Sequence, residues 1–191
     1  MECGPAHPPR VVEPARLFPR MQEMAYAMPY VQIASGYLPG SIGRVAEMHG
    51  TYYHRHWGFG LFFEAMVASE LAAFLGRYDR HRDGFWNALA DGGIEGSIAI
   101  DGYNAEAEGA YLRWFIVSDA LRGKGTGNRL MDNAVGFCRS RGYRRVSLWT
   151  FEGLDAARHL YEKHGFKLLD QQRGTRWGRE VNEQKFELQL R

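Results

Sequence analysis

The run Arg122-Gly123-Lys124-Gly125-Thr126-Gly127-Asn128 decides how this chain is read. An apolar run, Tyr111 to Val117, precedes it, and an amphipathic run, Leu130 to Cys138, follows it. The order is strand, glycine turn, helix. Alternate glycines let the backbone bend until several N–H groups point into one concavity. The helix that begins there adds unpaired N–H groups and the positive end of its dipole. The product is a site for a phosphate or pyrophosphate. Arg122 and Lys124 set positive charge beside it.

Two common nucleotide motifs do not fit. A Walker loop needs a Gly-Lys-Ser/Thr ending, and here Lys124 is followed by Gly125. A dinucleotide fingerprint needs Gly-x-Gly-x-x-Gly directly after a first strand; Gly123 and Gly125 match, but Asn128 holds the third glycine's place. Ser118 to Arg122 also separate the strand from the turn. The pattern that remains is Arg122-x-x-Gly125-x-Gly127.

Outward from the loop, Leu130, Ala134, Phe137 and Cys138 share an inward face and predict a helix over Gly127–Arg141, ended by Gly142. Val146–Thr150 then reads as a short buried strand. Leu154–His164 reads as a helix closed by Gly165, and Phe166–Asp170 as a strand. A basic turn, Arg173–Arg179, leads to a last strand, Val181–Leu190. Upstream, Tyr30–Ala34 predicts a first strand. From Ile42, Val45, His49, Tyr52, Tyr53 and His56 recur at helical spacing until Gly58 interrupts. A second helix runs from Phe59 to Leu75, with Gly76 as its stop. Phe85–Ala90, Asp91-Gly92-Gly93 and Ile94–Ile100 form a hairpin, and Asp101–Gly109 a polar turn. Strict alternation along the next strand puts Tyr111, Arg113, Phe115 and Val117 on one face, and Leu112, Trp114 and Ile116 on the other.

Residues 1–28 carry Pro5, Pro8, Pro9, Pro14 and Pro19 and are read as an extended arm outside one domain spanning residues 29–191. Three consecutive antiparallel strands followed by a strand–helix–strand crossover indicate an α/β (α+β) fold with a mixed sheet.

The loop pattern resembles the acetyl-CoA pyrophosphate loop of the GNAT family of N-acetyltransferases. A second stretch, Leu160-Tyr161-Glu162-Lys163-His164-Gly165-Phe166, looks like that family's Leu-Tyr-x-x-x-Gly-Phe signature, at the expected distance from the loop. The element order agrees from about Tyr30 to Arg191. Ser147-Leu148-Trp149-Thr150 and Ala156-Ala157-Arg158-His159-Leu160-Tyr161 also resemble acetyltransferase domains fused behind MarR-type regulators, although the upstream segment is too short for a winged helix. The resemblance implies the acyl-CoA N-acyltransferase fold: a mixed central sheet of about seven strands, strands four and five splayed, with about four helices.

It also implies an N-acetyltransferase that takes acetyl-CoA as co-substrate. An amine of a small molecule or peptide would attack the thioester directly, in a ternary complex. The alternative is a non-catalytic acyl-CoA-binding sensor or docking module. A weaker reading, a dinucleotide-dependent oxidoreductase, rests on Gly123-x-Gly125 and Glu152. Cofactor contacts would fall on Phe115, Ile116 and Val117, then Arg122, Gly123, Lys124, Gly125, Thr126, Gly127 and Asn128, with Thr150 across the gap. The family often carries an asparagine seven residues before its tyrosine, bonded to pantetheine; Leu154 stands here. Recognition would then rest on the loop and the fourth strand, or on Thr150, and an acyl chain other than acetyl is left open.

Tyr161 is the expected general acid for the departing thiolate, whose conjugate acid has a pKa of about 8.5. Its spacing alone equally suits a core tyrosine. His56 is the expected base, with His54, Glu64 and Glu108 as alternatives, since an amine must lose a proton to attack. Tyr53, His54, Trp57 and Arg113 are expected at the acceptor. Arg113 would hold an anionic group, or form a surface ion pair. No metal is expected: His49, His54 and His56 do not share a helical face, and nothing completes a ligand set.

Composition narrows the partners. A net charge of +2 gives no ground for a nucleic-acid partner, and Arg139, Arg141, Arg144 and Arg145 read as a solvated face near a helix end. No apolar run approaches membrane-spanning length, and the start lacks a signal peptide's apolar core. Of the two cysteines, Cys138 falls on a helix's inner face as a free thiol, which suits a reducing cytoplasm. Such a fold also accommodates a homodimer.

Overall fold

The computed structural model describes residues 30–190. The arm expected over residues 1–28 lies outside them. The elements are β1 (Gln32–Ser35), α1 (Ser41–Trp57), α2 (Leu61–Gly76), β2 (Gly84–Ala90), β3 (Gly93–Asp101), α3 (Ala105–Glu108), β4 (Ala110–Val117), α4 (Thr126–Ser140), β5 (Arg145–Phe151), α5 (Asp155–Lys163), β6 (Lys167–Gly174) and β7 (Val181–Gln189). The polar turn expected over Asp101–Gly109 thus contains one short helix. That gives five helices among the described residues rather than four. Gly76 closes α2 from within, with Arg77 as the cap.

The strands form one seven-stranded sheet in the order β1-β2-β3-β4-β5-β7-β6. Asp91 and Gly92 both have positive φ, 50° and 79°, the combination that closes a tight hairpin between β2 and β3. α4 is the crossover between parallel β4 and β5. β7 inserts between β5 and β6, which leaves β6 as an exposed edge. Apolar side chains fill both faces. Under α4 and α5 lie Ile98, Leu130, Met131, Leu148 and Phe186. Under α1 and α2 lie Val45, Leu71, Phe74, Phe85 and Phe151. Cys138 is a fully buried free thiol, as its helical position predicts, and burial pushes its pKa up to about 12.

The alternation expected along β4 fails at Trp114. The β3–β4 register slips between Ser97 and Ala99, and Trp114 takes a left-handed φ of 46°. Such a conformation in a bulky residue costs about 1–3 kcal/mol. Burying the indole against Phe74, 5.2 Å between ring centroids, returns about 1.5–3 kcal/mol. Ser97 Oγ also donates a 2.7 Å hydrogen bond to the Trp114 carbonyl. The bulge flips the strand's facing. Leu112 packs with Phe115 and Val117 on the α4 side, while Trp114 and Ile116 pack under α1 and α2. Arg113 also reaches α2, through Glu70.

A second irregularity makes the site. β4 and β5 pair only at Ala110↔Val146 and Tyr111↔Ser147. Beyond these positions the strands run on to Val117 and Phe151 without pairing to each other. The β5-facing backbone of β4 is therefore left open toward the gap, where a ladder partner is otherwise obligatory.

Candidate active site

Two cavities meet where β4 and β5 part. A cleft of about 640 Å³ is walled by Phe115, Ile116 and Val117 of β4, the loop at Arg122, Gly123 and Gly125, and α5. A smaller chamber of about 190 Å³ lies between α1, α2 and the strands. Phe115 and Leu154 line both, so each cavity opens toward the other at that point.

The loop forms as its glycines demand. Gly123 and Gly125 have φ of 72° and 79°, and Gly125 is the left-handed residue before α4. No backbone carbonyl of the described residues accepts from the amides of Gly123, Gly125, Thr126, Gly127 or Asn128. No side chain caps the helix. Free, convergent amides at a helix N-terminus suit an anion. Gly127 stands where α4 approaches β4 and α5: an added Cβ would come within 3.3 Å of Leu160 and 3.4 Å of Phe115. Arg122 lies flat over Tyr52 at 3.9 Å, donates Nε–H to the Val117 carbonyl and pairs with Asp119. Lys124 is exposed, while Thr126 is buried with its hydroxyl unpartnered. Asn128 lines the cleft and accepts from Lys163 Nζ at 2.8 Å.

The chamber collects other side chains. Tyr161, Tyr53 and Thr150 all line it. Tyr161 is buried against Phe115, Phe166 and Phe186, and its hydroxyl has no hydrogen-bond partner among the described residues. Burial raises its pKa well above the usual value, and neighbouring Tyr53 adds to the effect. Tyr53 sits in an aromatic nest of Phe59, Phe63 and Phe151, and its pKa is likewise raised by burial.

His49 also lines this chamber, although the sequence singles it out only as an unsuitable metal ligand. Its Nδ1 lies 2.8 Å from the Val45 carbonyl one turn back, so Nδ1 carries the proton and Nε2 the lone pair. No described residue bonds Nε2. The ring is 6% exposed, and burial pulls its pKa from 6.5 down to about 4, with the Val45 bond opposing.

This has a stability consequence with a definite sign. Below pH 6.5 the unfolded chain takes up a proton that the folded ring refuses until about pH 4. Stability from this group is therefore full above pH 6.5 and is lost as pH falls toward 4, by about 3 kcal/mol in all. The titratable and charged groups sharing the chamber are Tyr53, Tyr111, Tyr161, Glu70, Arg113 and Arg176. Urea unfolding of wild type and His49→Gln at pH 4.5 and 7.5 isolates the histidine. The variant is expected to lose much less stability on acidification, and parallel losses would contradict the assignment.

Three expected acceptor or base residues fall outside both cavities. His54 is exposed and bonds the Phe59 carbonyl at 2.9 Å, fixing the α1–α2 junction. His56 is exposed and lies against Tyr52, 4.6 Å between centroids. Trp57 packs on Tyr52, Tyr53 and Phe151. The helical count placed all three near the helix end but not the direction in which they turn. Of the alternative carboxylates, Glu64 is exposed beside Gly50, and Glu108 sits on α3, where its carbonyl bonds Arg145. Arg113 does line the chamber, stacked on Trp114 at 4.1 Å and paired with Glu70 and Asp101. Glu70 and Arg176, which no motif marks, line it too. Among the described residues no group of three His, Cys, Asp or Glu is placed to hold a metal ion, and no helix is long and apolar enough to cross a membrane.

This fold and site define an acyltransferase. The chain matches the model of the acetyltransferase (GNAT) family over residues 44–166, and it belongs to that family. No curated protein matches it. Solved structures do. An acetyltransferase of the GNAT family from Staphylococcus aureus superposes with a TM-score of 0.68 at 15% identity, over 85% of this chain and 100% of that one. An acetyltransferase from Streptococcus agalactiae gives 0.65 at 20% identity, over 84% and 98%. The protein yncA of Salmonella typhimurium, solved with its cofactor acetyl-CoA, gives 0.68 at 15% identity, over 85% and 95%. At these identities the likeness is one of fold.

Proposed function

We propose that this protein is an N-acetyltransferase that moves acetyl from acetyl-CoA to the amine of a small molecule, both bound at once. One observation carries the reading: the parted strands β4 and β5 join an amide-lined cleft to a chamber lined by Tyr161 and His49. The residues suit the co-substrate. The unpaired amides of Gly123, Gly125, Thr126, Gly127 and Asn128 match a diphosphate, and the open edge of β4 matches the amide groups of pantetheine. Its presence in yncA agrees with this.

When bound, acetyl-CoA supplies an acyl group activated as a thioester. The chain's own groups do the rest. Backbone N–H near Ile116, beside the bulge, polarises the carbonyl oxygen. His49 Nε2 accepts a hydrogen bond from the entering amine and turns its lone pair toward the carbonyl carbon. As the C–N bond forms, the nitrogen's proton becomes acidic, and Nε2 takes it and passes it to water. As the C–S bond breaks, the electron pair leaves on sulfur, where the Tyr161 hydroxyl donates a hydrogen bond. The base thus moves from His56, on the surface, to His49, in the chamber.

The test has two parts. Acetyl-CoA at 100 times its dissociation constant is expected to stabilise the protein by about 2.7 kcal/mol, read as a thermal shift. Thiol release in the presence of an amine library is then expected above the rate with water alone. Stabilisation without release for any amine would favour the non-catalytic binding module. Absence of both would defeat the reading.

A further inference from the structure

The chamber's charges point to the kind of amine. Aromatic and apolar side chains supply one part of its wall: Phe63, Met66, Val67, Phe151 and Trp177. Three charged side chains face it, Glu70, Arg113 and Arg176, an excess of one positive charge. Glu70 is already paired with Arg113, and Arg113 has Asp101 as a second partner. Neither of these two has unmet charge to offer a ligand.

Arg176 differs. Its guanidinium lies 4.1 Å over the Trp149 ring, which holds it flat. Its Nε–H faces Glu183 Oε2 at 3.3 Å, and its main-chain N–H donates to Glu183 Oε1 at 2.8 Å. Glu183 is buried, so this anchor is firm on both sides. Only one edge of the fork is used. The terminal Nη1 and Nη2 make no hydrogen bond to any described residue. A guanidinium held by stacking and by its inner nitrogen presents its outer pair ready for a planar, two-oxygen acceptor.

Resting on the transferase reading above, we propose that the acceptor is a small amine bearing a carboxylate, with an apolar or aromatic side chain: an amino acid rather than a polyamine or a lysine-rich peptide. Arg176 holds the carboxylate through Nη1 and Nη2. The aromatic wall takes the side chain, and the amine is left facing Tyr161 and His49. The chamber's volume, about 190 Å³, suits a molecule of that size. A polycation would find the nearby carboxylates Glu70, Asp101 and Glu183 already taken by Arg113 and Arg176.

Thiol release by the full chain with acetyl-CoA tests this. Phenylalanine, leucine, methionine and tryptophan are compared with phenethylamine, isoamylamine and spermidine. At least one amino acid is expected to exceed its decarboxylated partner in kcat/KM by about 100-fold. Arg176→Met is expected to erase most of that ratio through KM, with the thermal shift by acetyl-CoA unchanged, and Arg176→Lys to restore part of it. Because Glu183 is buried, Arg176→Met is also made with Glu183→Gln, so that an unpaired carboxylate is not mistaken for a lost contact. Decarboxylated amines turned over as well as amino acids would overturn the proposal and leave the transferase reading intact. So would a ratio unmoved by Arg176→Met. If no amine is turned over, thermal shift with CoA plus each amino acid decides: no added stabilisation by any of them also overturns it. Failure to bind acetyl-CoA at all would instead remove the transferase reading on which it rests.

Discussion

Replacing Tyr161 with phenylalanine is expected to lower kcat about 100-fold while the affinity for acetyl-CoA stays within about threefold. The ring would keep its packing on Phe115, Phe166 and Phe186, and the lost hydroxyl bonds nothing among the described residues. Folding should therefore change little, and the loss should fall on chemistry. The raised pKa of this phenol refines its task. A thiolate whose conjugate acid sits near 8.5 is too weak a base to strip a proton from it. Tyr161 then acts by donating a hydrogen bond to sulfur as charge gathers there, not by completing a proton transfer. The kcat profile should accordingly show no alkaline limb belonging to a tyrosine, and Tyr161→Phe should lower the profile without changing its shape. Steady-state kinetics from pH 6 to 10, with dissociation constants from calorimetry, separate the cases. An unchanged kcat would make Tyr161 a packing residue only.

Much of this arrangement was legible in the chain. Gly123, Gly125 and Gly127 told of a turn into a helix, because only glycine takes those φ values or allows that approach. The signature around Tyr161 placed its ring inward, and it is inward. The strand–helix periods put every strand and long helix within a few residues of its place. What stayed hidden has a common cause. Alternation assumes an unbroken pleat, and nothing in Arg113-Trp114-Phe115 announces a bulge, since tryptophan is a poor choice for a left-handed residue. The bulge is a tertiary compromise between Ser97 and the Phe74 pocket. His49 was visible at the i+4 position from Val45 and the i−4 position from Tyr53, on the inner face of α1. His54 and His56, which carry the same imidazole, stand instead at the exposed helix end. Arg176 lies in a turn whose path is set by β6 and β7 closing on β5, and no local pattern records that.

The second large effect is expected at Gly127. Gly127→Val should weaken acetyl-CoA binding by about 100-fold or more, with the fold retained. Gly127 is in the first turn of α4 at an ordinary helical φ, so the substitution brings no backbone strain. Its Cβ would already press on Leu160 and Phe115, at 3.3 and 3.4 Å. The two further methyl groups must then move those side chains or stand in the cleft they wall. The same residue supplies one of the free amides. Gly125→Ala makes the contrasting case: its Cβ meets open space, but a φ of 79° burdens alanine by about 1–2 kcal/mol. Relief by tilting the loop would misdirect the amides, at a cost of about tenfold in affinity. Gly136→Ala serves as the control. It lies on the exposed face of the same helix with nothing within 4 Å, so it should raise stability by up to about 1 kcal/mol and leave binding alone. Calorimetric titration of acetyl-CoA into the three variants, with far-UV dichroism as the check on folding, ranks them. Wild-type affinity in a folded Gly127→Val would mean that the nucleotide does not enter between β4, α4 and α5, and the assignment of the cleft would fall with it.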